Sequence, residues 1–129
     1  MAIKFKAIEK GQPGVAGGGQ KKYYASIVNS GEATVDELVK GIEKFSALSE
    51  ADILGVIVAL ENVIQDKLAD GKIVRLDKLG SLYPSLSSEG VEKQDELTSL
   101  KIKEVTINYR PGVRLKNAIN EAQRIKVEA

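Results

Sequence analysis

The stretch from Ser49 to Leu82 (SEADILGVIVALENVIQDKLADGKIVRLDKLGSL) limits the possible folds more than any other part of the chain. It reads as a long helix, a glycine stop and a strand that bends at a second glycine. Ser49 is a good N-cap, and Asp52 stands at the capping-box spacing. Leu48 and Ile53 occupy the two positions of a hydrophobic staple. Ile53, Val56, Ile57, Leu60, Val63, Ile64 and Leu68 recur at helical spacing. Gly71, after Asp70, is a C-terminal stop, because glycine tolerates the left-handed conformation found there. Lys72 to Leu76 is a short strand candidate with two β-branched residues. The apolar stripe of the helix is wide, since Ile53, Leu54, Val56, Ile57, Val58 and Leu60 leave few polar positions. A small chain cannot bury so wide a stripe against itself, so the stripe implies a partner subunit.

Cysteine and histidine are both missing, and their absence removes whole classes of chemistry. With no cysteine and no histidine among 129 residues, disulfides, thiolate chemistry, the usual zinc sites and histidine acid/base catalysis are excluded. No apolar run approaches the ~18 residues of a membrane span, and the N-terminus lacks a signal-peptide core. The expectation is a cytoplasmic protein. An enzyme would need paired carboxylates in a cleft, such as Glu92 with Asp95 or Glu96. Those residues stand in a polar loop, so the chain is expected not to be an enzyme.

The net charge of +1 is unevenly distributed. Residues 1–22 carry five lysines and one acid, and residues 32–70 carry nine acids and three lysines. Residues 110–129 return to a net charge of +3. The helical half is acidic and both ends are basic. That segregation is compatible with an anionic partner on one face, although on charge alone a solvated surface with clustered signs is the commoner reading.

In chain order, Ala2–Glu9 alternates as a half-buried strand. Lys10–Lys22, with five glycines and a proline, is a flexible connection and not a phosphate cradle, because no GK[ST] follows. Tyr23–Asn29 is a second strand. Thr34 caps an amphipathic helix of about three turns carrying Val35, Leu38, Val39, Ile42 and Phe45. The long helix follows, making an αα-hairpin. Beyond the bend, Gly80 signals a bulge or a close backbone approach, and Pro84 signals a strand lacking a neighbour on one side. Ser87–Ser99 is polar. Leu100–Tyr109 alternates, with one phase slip between Ile102 and Val105 that signals a bulge. Pro111 is placed for the first turn of a last helix, whose inner face is Val113, Leu115, Ala118, Ile119 and Ala122. Arg124–Ala129 is a frayed end or a further strand. The order is α+β, with segregated helices and an antiparallel sheet.

Residues 34–82 and 100–119 together resemble the bacterial HU/IHF family of histone-like DNA-binding proteins. Asp70-Gly71-Lys72 resembles that family's turn out of the second helix. Leu79-Gly80-Ser81-Leu82 resembles its Phe-Gly-Thr-Phe-like bend. Asn108-Tyr109-Arg110-Pro111-Gly112-Val113-Arg114-Leu115-Lys116 resembles the segment that opens its last helix. The N-terminal strands and the phrase LSSEGVEKQDEL look like the HU-related subgroup of Bacteroides-type bacteria.

The resemblance implies an intertwined homodimer with a helical body, residues 34–129, to which residues 1–33 add an N-terminal strand extension with a Gly-rich linker. Two β-arms would wrap double-stranded DNA, binding through phosphates and the minor groove without sequence choice and organising the nucleoid. It implies no cofactor, small-molecule substrate or membrane. The expected DNA-contacting residues are Arg110, Arg114 and Lys116 around the start of the last helix, with Lys101 and Lys103 on one face of the strand leaving the arm. Lys72, Arg75 and Lys78 read as general surface charge. The arm departs from the family pattern: Glu89–Glu104 has three lysines, five acids and no proline, so no wedge residue carries over. That acidic arm favours an alternative, a structural or protein-interaction module on the same dimer with little DNA affinity.

Overall fold

A computed structural model describes residues 2–12 and 14–128. The chain forms two compact units, one of residues 1–34 with 118–129, the other of residues 35–117.

In the first unit, β1 (Ala2–Lys10) and β2 (Lys22–Val28) pair antiparallel from Lys4 opposite Val28 to Lys10 opposite Lys22. The glycine-rich connection closes on itself, with Gln12 N–H donating to the Gly18 carbonyl at 2.5 Å. A third strand, β6 (Gln123–Lys126), lies parallel to β1 on its other side, with Ala2 opposite Gln123 and Phe5 opposite Lys126. Residues 124–126 are therefore strand, one of the two outcomes the sequence allowed for Arg124–Ala129, whose last residue lies outside the described residues. The expectation of one antiparallel sheet is corrected here: two separate three-stranded sheets form, and the β1–β6 pairing is parallel.

The second unit holds the helical hairpin, α1 (Val35–Glu43) and α2 (Glu50–Ala69). Ser49 caps α2 as its sequence implies, its Oγ accepting the Asp52 N–H at 3.2 Å. Gly71 ends the helix at φ 79°, and the Lys72 N–H reaches back to the Lys67 carbonyl. Val39 of α1 and Ile53 of α2 are buried at 5% and 2% exposure, and no other large apolar side chain among the described residues is as well covered. Phe45, expected on the inner face of α1, lies past the end of that helix and is 92% exposed.

The second sheet runs β3 (Val74–Arg75), β4 (Gly80–Ser88), β5 (Ile102–Pro111), all antiparallel. β3 pairs only as far as Leu82, so β4 has a neighbour on one side alone from Pro84 onward, where a missing N–H costs no ladder bond. The register slips between Ser87 and Ser88, leaving Lys103 unpaired between Glu104 and Ile102. That is the bulge announced by the phase slip. Two 3-10 turns, Gln94–Glu96 and Ser99–Lys101, fill the connection between β4 and β5. The last helix, α3 (Val113–Glu121), starts two residues later than expected, because Pro111 is still paired with Gly80 at the end of β5.

Candidate functional site

Period-two alternation divides the β4–β5 hairpin into two unlike faces. One carries Leu82, Pro84 and Leu86 with Val105, Ile107 and Tyr109. The other carries Ser81, Tyr83 and Ser85 with Thr106, Asn108 and Arg110. The polar face is knitted by side chains: Ser85 and Thr106 share a hydrogen bond of 2.8 Å, and Asn108 Nδ2 donates to Ser85 Oγ at 2.6 Å.

The polar face ends in a basic corner. Ser81 pairs with Arg75 on one side and Arg110 on the other, so both arginines stand on the same face as Ser81, about 10 Å apart across two strand spacings. The Arg110 guanidinium lies over the Tyr83 ring, 5.6 Å from its centroid. Stacking on an aromatic face holds the planar cation in place while leaving N–H donors free. Ile73, Arg75, Ser81, Tyr83 and Arg110 line a notch of about 150 Å³. Its charge, shape and donors suit a phosphate group.

Two glycines make this corner possible. Gly80, buried at φ 119°, lies so close to the opposing strand that a Cβ there would run into the Arg110 carbonyl and stand 2.9 Å from the Gly112 nitrogen. A Cβ on Gly112 would run into the Lys78 carbonyl. Tyr109 Oη ties the same crossing by donating to the Leu79 carbonyl at 2.6 Å. The backbone therefore passes from β5 into α3 directly against the bend before β4, which fixes where Arg110 emerges.

The other expected contact residues are placed differently. Arg114 and Lys116 both lie in α3 and are exposed, but two residues apart on a helix means about 200° around its axis, so they do not share a face. The α3 N-terminus leaves first-turn N–H groups without intrahelical partners, an arrangement favourable to anions beside Arg110. Lys101 precedes β5 in a 3-10 turn, where its Nζ is 3.9 Å from a Glu89 carboxylate oxygen. Lys103 is the bulge residue, so the two lysines do not lie on one face of a strand. Glu92, Asp95 and Glu96 are all exposed. Arg75, read from the sequence as general surface charge, joins Arg110 on this face. Aligning Val74 with Leu82 across the Gly80 bend sets Arg75 opposite Ser81, and the β4–β5 register then puts Arg110 on the same face.

The hairpin's apolar face lies across a groove from α2. Ile64 and Leu68 on the helix and Leu82, Pro84, Val105 and Ile107 on the sheet line about 620 Å³ of open space. Val105 and Ile107 are 63% and 64% exposed. Among the described residues no helix is long and apolar enough to cross a membrane.

Comparison with known proteins now decides the family. A family model described as an HU domain fused to a wHTH, Ig or glycine-rich motif matches residues 1–126. The chain belongs to this HU-HIG family. No curated protein gives a match. Among solved structures, the fold is shared with a Bacteroides vulgatus ATCC 8482 protein provisionally described as a bacterial DNA-binding protein. The TM-score is 0.69 at 12% identity, over 98% of this chain and 49% of that one. This HU-HIG chain thus spans about half the length of that structural neighbour.

Proposed function

We propose that the protein is a non-enzymatic binder of double-stranded DNA that acts as a homodimer, contacts the phosphate backbone with little sequence choice, and serves in the nucleoid. The observation carrying this reading is the Arg75–Ser81–Arg110 row, with Arg110 stacked on Tyr83 beside the start of α3. Such a row offers charge and fork-shaped donors at fixed spacing, which positions phosphates but reads no bases. Membership of an HU-domain family and a fold shared with a protein described as DNA-binding support it.

What one chain leaves uncovered supports the homodimer reading. Val56, Val58, Leu60 and Val63 of α2 are 46–59% exposed, and the groove between Ile64 and Leu68 of the same helix and the sheet is apolar. Exposed apolar surface of this extent marks an interface. A second copy supplies the same apolar α2, and its helix is the occupant that fits. The β4–β5 hairpin would then act as the DNA-wrapping arm. Leu100, 91% exposed at the hairpin's end, is the side chain best placed to press between base steps where the family's proline is missing.

The test is a titration of random-sequence duplex DNA against salt. Binding should be measurable at low salt and fall steeply with ionic strength as counterions are released. Replacing Arg75 and Arg110 with glutamine should reduce the slope of log K against log salt by about 0.9 for each phosphate that is no longer neutralised. Absence of binding at micromolar protein and low salt would instead favour a dimeric protein-interaction module, the reading to which the five acids of Glu89–Glu104 point.

A further inference from the structure

The first unit's sheet carries a second basic surface. Lys4, Lys6 and Lys10 of β1 alternate onto one face of the strand, and the register places Val28, Ser26 and Lys22 opposite them. Ile8 and Tyr24 fill the intervening pair. This face holds four lysines and no acid, whereas the opposite face holds Glu9, Arg124 and Lys126. Lys4, Lys10 and Lys22 are exposed and Lys6 half-buried.

Two features make this more than a solvated strand pair. Lys10 and Lys22 stand directly opposite each other, an arrangement that destabilises a ladder unless an anion lies between the two charges. None of the four has a carboxylate partner among the described residues, and Lys10 is instead held over the Tyr24 ring at 5.0 Å from its centroid. Lysines two residues apart on a strand are spaced about 7 Å, and the row from Lys4 to Lys10 extends about 20 Å. A linear polyanion matches such a row better than a single small anion does.

We infer that the Lys4, Lys6, Lys10 and Lys22 face is a second phosphate-backbone contact for duplex nucleic acid, separate from the basic corner at Arg110. It rests on the reading of the chain as a duplex-binding protein and adds a surface to it. Its recognition is electrostatic and sequence-independent, since lysine ammonium groups along a strand neutralise phosphates without reading base edges.

Lysine-reactivity footprinting of the full chain tests this. The protein is acetylated at low salt with and without random-sequence duplex DNA, and each lysine is quantified by mass spectrometry. DNA should slow acetylation several-fold at Lys4, Lys6, Lys10 and Lys22 and leave Lys40, Lys44 and Lys67 of the acidic helical segment unchanged. Equal reactivity at the four with and without DNA overturns the inference, and protection of Lys116 in that experiment leaves the proposed function standing. Protection of the four without protection of Lys116 keeps this surface and removes the α3 start from the interface. Protection that grows with protein concentration and ignores DNA overturns it in favour of a second copy's acidic helices. As an independent check, K4Q/K6Q/K10Q/K22Q should reduce the salt slope by about 3.6, at 0.9 per phosphate, and the matching four arginines should restore it. An unchanged slope in the glutamine variant overturns the inference.

Discussion

Replacing Gly80 with alanine puts the backbone crossing under direct strain. The residue sits at φ 119°, where an L side chain is costly, at about 1–3 kcal/mol for a sparsely populated backbone region. The added Cβ must also push against the Arg110 carbonyl, the Gly112 nitrogen and Pro111 Cα, which are all backbone and cannot swing away. Overpacking of this kind adds about 1–3 kcal/mol. The sum, roughly 2–6 kcal/mol, is a large share of the ~5–15 kcal/mol that holds a typical domain. At about 4 °C per kcal/mol for a chain of this size, Tm should fall by roughly 8–24 °C. Gly112→Ala meets the Lys78 carbonyl without a positive φ, so it should show only the packing part, about 1–3 kcal/mol. Gly90→Ala has nothing within 4 Å and no positive φ, and should stay within about 0.5 kcal/mol of the parent. Thermal unfolding by circular dichroism at one fixed protein concentration ranks the three, since the proposed dimer would make Tm depend on concentration. A Gly80→Ala protein melting within about 2 °C of the parent, by the ~4 °C scale just used, would show that the strands do not cross at this distance.

Other perturbations isolate single links. Ser49→Ala removes the oxygen that accepts the Asp52 N–H and should cost about 1 kcal/mol in chemical denaturation, with the fold unchanged. Ile107→Asp puts a charge into the groove facing α2 and should shift the protein from dimer to monomer in light scattering; a dimer of unaltered affinity would mean that the groove is not the interface. Leu100→Ser should leave DNA affinity nearly intact but reduce bending, read by energy transfer between the ends of a labelled duplex.

Features written in neighbouring residues were readable from the sequence. The Ser49 cap, the Gly71 stop and the bulge at Lys103 each depend on residues within a few positions, where local sterics and hydrogen bonding decide the outcome. The close approach at Gly80 was readable as one of two alternatives, and its partner, Gly112, emerges only once the strands are paired. The parallel β1–β6 pairing was not readable. It joins residues 2–5 to residues 123–126, and although the sequence allowed a further strand there, nothing local names a partner from the other end of the chain or its direction. Arg75, read from the sequence as general surface charge, shows the same dependence on register. Taken alone, β3 is a two-residue strand, and its charge gains meaning only beside Arg110, a neighbour supplied by register.

The hairpin's two faces make assembly and binding separable. A period-two strand pair must send alternate residues to opposite sides, so the side chains that need covering, such as Val105 and Ile107, cannot be those that meet an anion, such as Arg110 and Asn108. A dimer closing over the apolar face therefore leaves the arginine row open and brings a second copy of it into the assembly. Each row neutralises few phosphates. Because charge interactions multiply in the binding constant, two rows bind far more tightly than one. Charge removal at Arg110 should thus weaken DNA binding while the dimer persists, whereas Ile107→Asp should lower DNA affinity with every arginine still present. If Ile107→Asp yields a monomer that binds duplex as tightly as the parent, the two rows do not act together.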